Sequence, residues 1–113
     1  SNGAGFHLTT GNFFTVNHQP FTDRGTDNNL SEKLRIDSNG HTLPGADNTF
    51  DLGSTTKRWA NIYSADLQLS NIGTGGNEVD GTEGKWTLQE AEDTVYMINR
   101  ITGKRYKIKM EEV

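Results

Sequence analysis

Apolar and polar residues alternate most clearly in the last third of the chain. Trp86 and Leu88, Val95 and Met97, and Tyr106, Ile108 and Met110 recur at every second position, with polar residues between them. A period of two places one set of side chains on one face of an extended strand. The pattern predicts strands over 85–90, 94–100 and 105–110, with Glu92-Asp93 and Ile101-Thr102-Gly103-Lys104 as the turns between them. Together these form a predicted three-stranded antiparallel meander with one apolar face. Leu67 and Leu69 alternate in the same way upstream, and Gly73-Thr74-Gly75-Gly76-Asn77 follows as a hinge or long turn. Leu34-Arg35-Ile36 predicts a strand running into Asn39-Gly40, a two-residue hairpin signal in which both central positions take φ > 0. His41-Thr42-Leu43 returns, and Pro44-Gly45 turns again. Nearer the start, 5–9 and 12–17 predict a hairpin around Thr10-Gly11-Asn12 that Gln19-Pro20 closes. The polar run 22–31 predicts a loop that crosses the surface.

Between these strands lies the stretch on which the chain is organised, Asp47 to Tyr63. Asp51-Leu52-Gly53 leaves an extended segment at a glycine suited to φ > 0. Ser54, Thr55 or Thr56 is placed to cap a short helical turn near 55–60, and Ile62-Tyr63 restarts an extended run. In that geometry Trp59, Ile62 and Tyr63 would close onto one apolar spot.

The run DNTFDLGSTTKRWANIYSADLQLSN, residues 47–71, resembles a module of phage tail fibres and related virion appendages in which a DLG-xxx-RWxNIY pattern recurs. EKLRIDSNGHTLPG ahead of it is similar to what precedes that element in such fibres. The C-terminal run from Trp86 to Val113 resembles the ends of tail-fibre proteins of marine phages and cyanophages. The resemblance implies a structural module and names no reaction. It also implies a number of copies, three. A self-cleaving chaperone domain often follows the same element in phage fibres, but this chain continues into a different meander, so self-cleavage is not carried over.

Composition sharpens the picture. Only 31% of the 113 residues are hydrophobic, and Leu 8, Ile 6, Val 4 and Phe 5 make 23 of them. That is close to the level at which isolated chains fail to build a core, while a net charge of -4 is too small for a disordered polyelectrolyte. A thin core in an ordered protein predicts burial supplied by other copies of the chain. The net negative charge argues against a nucleic-acid partner. There is no cysteine for disulfides or thiolate metal sites, and no stretch nears the roughly 20 apolar residues of a membrane span. No basic region leads into an apolar one as in a signal peptide. The chain opens at Ser1, which suits a piece of a longer protein, its C-terminal end.

Chemistry is sparse. His7, His18 and His41 are scattered without metal-ligand spacing. Asp37-Ser38-Asn39-Gly40 has the start of a calcium loop but not its closing Glu, and Glu78, Asp80 and Glu83 read more simply as a solvated turn than as a calcium site. Gly73-Thr74-Gly75-Gly76 lacks a dinucleotide fingerprint, and Gly84-Lys85 is followed by Trp86 where a P-loop needs Ser or Thr. There is neither a thiol nor a Gly-x-Ser-x-Gly elbow. No cofactor or metal is predicted. Aromatic residues such as Phe13, Phe14, Phe21, Trp59 and Trp86 can serve as sugar-stacking platforms, but core phase favours packing for both tryptophans.

The sequence thus predicts an all-β, elongated, mostly antiparallel module, an intertwined homotrimer in three parts: 1–31, 32–71 and 72–113. Its expected core is Leu52, Trp59, Ile62 and Tyr63 in the central stretch, and Trp86, Leu88, Val95, Met97, Tyr106 and Ile108 in the meander. Tyr96, out of phase with its neighbours, and the outward stripe Arg105, Lys107 and Lys109 are the candidate receptor contacts, together with loops 22–31 and 72–84. The stripe would otherwise be a solvated face or pair across strands with Glu90 and Glu92. The expected function is that of a non-enzymatic virion protein, the C-terminal part of a tail fibre that trimerises and presents a host-recognition surface. Its expected partners are further copies, other virion proteins and a host cell-surface glycan or protein, without membrane insertion. The alternatives are a collar, neck or capsid-fibre attachment protein and, more remotely, a carbohydrate-active enzyme.

Overall fold

The computed structural model describes residues 4–9, 12–18 and 31–113, with side chains from Ser31 onward. The fold is all-β, with two four-stranded antiparallel sheets whose strands follow one another in chain order. The first contains β1 (Ala4–Thr9), β2 (Asn12–His18), β3 (Ser31–Asp37) and β4 (Thr42–Pro44). The second contains β5 (Asp66–Ser70), β6 (Lys85–Glu90), β7 (Val95–Asn99) and β8 (Arg105–Lys107). They belong to two compact units, Ser1–Trp59 and Ala60–Val113. The boundary expected after residue 31 therefore falls at the start of β3, which pairs directly with β2. Of the surface loop expected over 22–31, residues 22–30 lie outside the described residues, as do Gln19-Pro20 and Thr10-Gly11, and Ser31 opens β3 instead.

In the first unit the β3–β4 hairpin forms at the expected place with a different turn. Asn39 does not take positive φ; Gly40 does, at 88°. Gly40 N–H donates to the Asp37 carbonyl at 3.0 Å, and Asp37 N–H donates to the His41 carbonyl at 3.0 Å. This is a three-residue loop with its glycine in a bulge. Asp37 favours it, because its carboxylate accepts the N–H groups of Asn39 (2.9 Å) and His41 (3.0 Å). Pro44 ends β4, the edge strand of its sheet, where a missing N–H costs no ladder bond. Arg35 grips Glu32 through Nε and Nη2 at 3.0 and 2.8 Å, the one ion pair among the described residues.

The expected helical turn near 55–60 is absent; the described residues contain no helix. Gly53 has φ 88°, as the sequence suggests, and the Ser54 hydroxyl does accept the Lys57 N–H at 3.0 Å. However, Ser54 N–H donates forward to the Lys57 carbonyl at 2.9 Å. A helix runs its bonds the other way, from a later N–H to an earlier carbonyl, so the stretch closes as a tight reversal. The Trp59 indole lies beside Gly53, within 3.6 Å of where a Cβ would stand.

The second unit extends the predicted meander by one strand. Leu67 faces Leu88 and Leu69 faces Trp86, so β5 joins in register on the edge of β6. Directly opposed residues share a face. Leu67, Leu88, Met97 and Tyr106 line up across all four strands, with Leu69 and Trp86 beside them. Trp86 and Tyr106 meet over β7, ring centroids 5.6 Å apart and inclined at 44°. Yet no hydrophobic residue is buried among the described residues. Leu52, Trp59, Ile62 and Tyr63 stand 64–93% exposed, and Tyr106 is about half exposed, while Trp86, Leu88, Val95, Met97 and Ile108 are half-buried. The core expected from these residues is thus not made within the described single chain: the apolar residues of β5–β8 share one face and stay at least partly exposed.

Candidate functional site

The polar face of the second sheet carries Gln68, Thr87, Ile98 and Arg105 in one row and Asp66, Gln89, Tyr96 and Lys107 in the next. Tyr96, Arg105 and Lys107 do therefore share a face, as the alternation predicts, and Tyr96 is exposed. Lys109 lies beyond the end of β8. The pairing of this stripe with Glu90 and Glu92, one alternative to a solvated face, does not form: β8 pairs with β7, and Glu90 opposes Val95 on the other face. Lys107 and Lys109 instead border a cleft of about 660 Å³ with Asp93, Glu111 and Glu112, so their charge is locally offset.

A second cleft, of about 680 Å³, opens at the end of this sheet between the loops 71–84 and 99–104. That is within the roughly 300–1,000 Å³ usual for small-ligand sites. Both loops are held by the same six-residue device. Asn77 N–H donates to the Thr82 carbonyl (3.0 Å), Gly81 N–H to the Asn77 carbonyl (3.1 Å), and Val79 and Asp80 N–H to Asn77 Oδ1 (2.8 and 2.9 Å). Asn99 repeats every one of these bonds with Lys104, Gly103, Ile101 and Thr102, at 2.8–3.1 Å. Gly81 and Gly103 close the two turns at φ 74° and 76°. An Asn at the first position supplies the acceptor, and a Gly at the fifth tolerates the left-handed backbone. The spacing Asn-x-x-x-Gly, at 77–81 and 99–103, was the available sequence signal for this pair of tips.

The glycine run expected to be a hinge or long turn is a turn, firmly tied. Glu83 Oε2 accepts the N–H groups of Gly73 (2.8 Å) and Gly75 (3.3 Å), a backbone concavity for an anion that the chain fills with its own carboxylate. Asn71 Oδ1 accepts Gly84 N–H at 2.6 Å, tying the base of the loop. Asp80 accepts the Thr82 N–H (3.0 Å), the Asn77 amide (2.7 Å) and the Thr82 hydroxyl (2.8 Å), and these donors hold its carboxyl below the usual range. Asp80 and Glu83 are therefore occupied in fixing the loop. Among the described residues, no three His, Asp or Glu side chains gather as a metal site.

The cleft itself combines an aromatic wall with amides and hydroxyls. Trp86 and Leu69 supply the apolar side, Asn71 and Asn99 the amides, and Ser70 and Thr102 the hydroxyls. Its lining includes no Lys or Arg. From the sequence, Trp86 and Leu69 stood out chiefly as apolar strand positions and Thr102 only as turn material, because residues up to 33 positions apart, Leu69 to Thr102, come together only through the β5–β6 and β6–β7 registers. No family model, curated protein or solved structure matches the chain.

Proposed function

We propose that this chain is a non-enzymatic structural module of a phage tail fibre or related virion appendage, which self-associates as a trimer and presents a host-recognition surface. The supporting observation is the state of its apolar residues. Leu52, Trp59, Ile62 and Tyr63, all inside the DLG-xxx-KRWANIY run that resembles fibre modules, are exposed in the single chain, as is much of the apolar face of β5–β8. A chain with this much uncovered apolar surface is stabilised by covering it, and rod-like appendages do so with symmetry-related copies. Recognition would fall to the outward surfaces, including Tyr96, Arg105 and Lys107. Light scattering behind size exclusion tests the assembly: a mass three times 12.5 kDa is expected. A stable monomer would remove the basis for the trimer.

A further inference from the structure

The cleft beside Trp86 has a chemistry of its own, and it stands on the geometry of residues 60–113 alone, independently of the fibre reading. Its polar groups are held in place by backbone bonds and retain capacity for a ligand. Asn99 Oδ1 is committed to the N–H groups of Ile101 and Thr102, which fixes the amide plane, while its NH₂ has no acceptor among the described residues. The Trp86 indole N–H likewise has none there, and Gly84 leaves room along its edge, since a Cβ at that position would come within 3.1 Å of Nε1. The Thr102 hydroxyl accepts Lys104 N–H at 3.2 Å, leaving its own hydrogen free to donate. Side-chain amides and hydroxyls both donate and accept, as a polyhydroxylated ligand requires. An indole face suits the C–H face of a sugar ring. Without Lys or Arg in the lining, and with Glu83 at its border, the cleft disfavours anions. The two identically wired tips require little ordering on binding, which limits the entropic cost.

We propose that this cleft is a binding site for a neutral saccharide, with Trp86 as the stacking wall and the Asn99 amide and Thr102 hydroxyl as hydrogen-bonding groups. The test uses the full chain labelled with ¹⁵N and four neutral probes: maltotriose, N,N′,N″-triacetylchitotriose, mannotriose and galactotriose. At least one is expected to shift the Trp86 indole and Asn99 side-chain resonances saturably while Trp59 stays fixed. Asn99→Asp keeps the acceptor for both turn N–H groups but lacks the amide donor, and should weaken binding about tenfold, the equivalent of one hydrogen bond. Ile101, 61% exposed on the cleft rim, offers a second variant: Ile101→Arg should abolish binding with the fold intact. The proposal fails if no probe moves these resonances, or if Ile101→Arg binds as well as the parent. It fails equally if dextran sulfate occupies the cleft more tightly than any neutral probe. A lower solution mass for Ile101→Arg would show the cleft to be covered by another copy, and that too would overturn it. A monomeric parent chain that binds a trisaccharide would remove the trimer and leave this site standing.

Discussion

The hydroxyl of Thr87 donates to the side-chain carbonyl of Gln68 at 2.6 Å across the β5–β6 pair, and accepts Arg100 Nε at 2.9 Å. Thr87 is the one fully buried residue among those described, and it is polar. The second sheet is thus cinched on its polar face by a three-residue relay, while its apolar face stays open. Thr87→Val preserves shape and β-branching but strands both partners. It should cost about 1–3 kcal/mol, read as a fall in melting temperature; a loss below about 0.5 kcal/mol would mean water replaces the relay without penalty.

Two glycines in the loop 71–84 separate backbone strain from steric clash. Gly73 has φ 83° and nothing within 4 Å of an added Cβ, whereas Gly76 has φ 98° and a Cβ there would run into the Gly81 carbonyl. Gly73→Ala should destabilise by about 1 kcal/mol, the usual scale of a left-handed non-glycine residue. Gly76→Ala should destabilise by clearly more, because strain and collision add. Equal melting temperatures for the two variants would contradict the close approach of Gly76 to Gly81.

Trp59 separates a covered surface from a bare one. In the single chain it is 64% exposed, so Trp59→Ala acting on a monomer should cost well under the 3–5 kcal/mol typical of a buried tryptophan. In the proposed trimer the loss should approach that range and depend on protein concentration. Leu67→Lys, on the open apolar face away from the cleft, should likewise lower the solution mass. A melting temperature for Trp59→Ala that is unchanged at every concentration would place that side chain outside the assembly contact.

Acid should loosen the loop tips before the strands. The carboxyl of Asp80 is held below its ordinary 3.8 by the Thr82 N–H and by the side chains of Asn77 and Thr82; that of Asp37 is held down chiefly by His41 N–H. A depressed folded value gives stability that is fully present above the unfolded value and is lost as the pH falls through the folded one. The melting temperature should therefore be flat above about pH 5 and decline below about pH 4. Asp80→Asn retains an acceptor without the titrating charge and should flatten that decline. An acid limb identical to the parent's would exclude Asp80 as a contributor.

The strands were legible because period-two alternation survives in even a three-residue strand such as β8, and because Leu67 and Leu69 carry the same pattern into β5. The turns were less so. Asn39-Gly40 marked the right place, but the Asp37 side chain selected the longer loop, a choice made by hydrogen bonds that residue propensity does not encode. Near 55–60, a capping serine and helix-compatible residues read as helix, while the forward bond from Ser54 to Lys57 reversed the chain. The cleft was hardest to foresee: Glu83 reaches Gly73 ten residues back, and Asn71 and Asn99 come to line one cleft only through sheet register. The repeated Asn-x-x-x-Gly was visible, but its meaning depends on which strands the two copies join.

That repeat has an evolutionary side. In each tip the Asn and Gly form the frame, and the three residues between them differ in their work: Asp80 fixes its own loop, Arg100 reaches Thr87 and the Thr102 hydroxyl accepts Lys104 N–H, whereas the side chains of Glu78, Val79 and Ile101 take no part in this wiring. The six positions already differ completely between the copies although the backbone wiring is the same. Mutation of Ile101 can therefore alter what the rim of this cleft displays without renegotiating the scaffold, and a lineage under pressure to change its binding preference would be expected to vary that position before the frame.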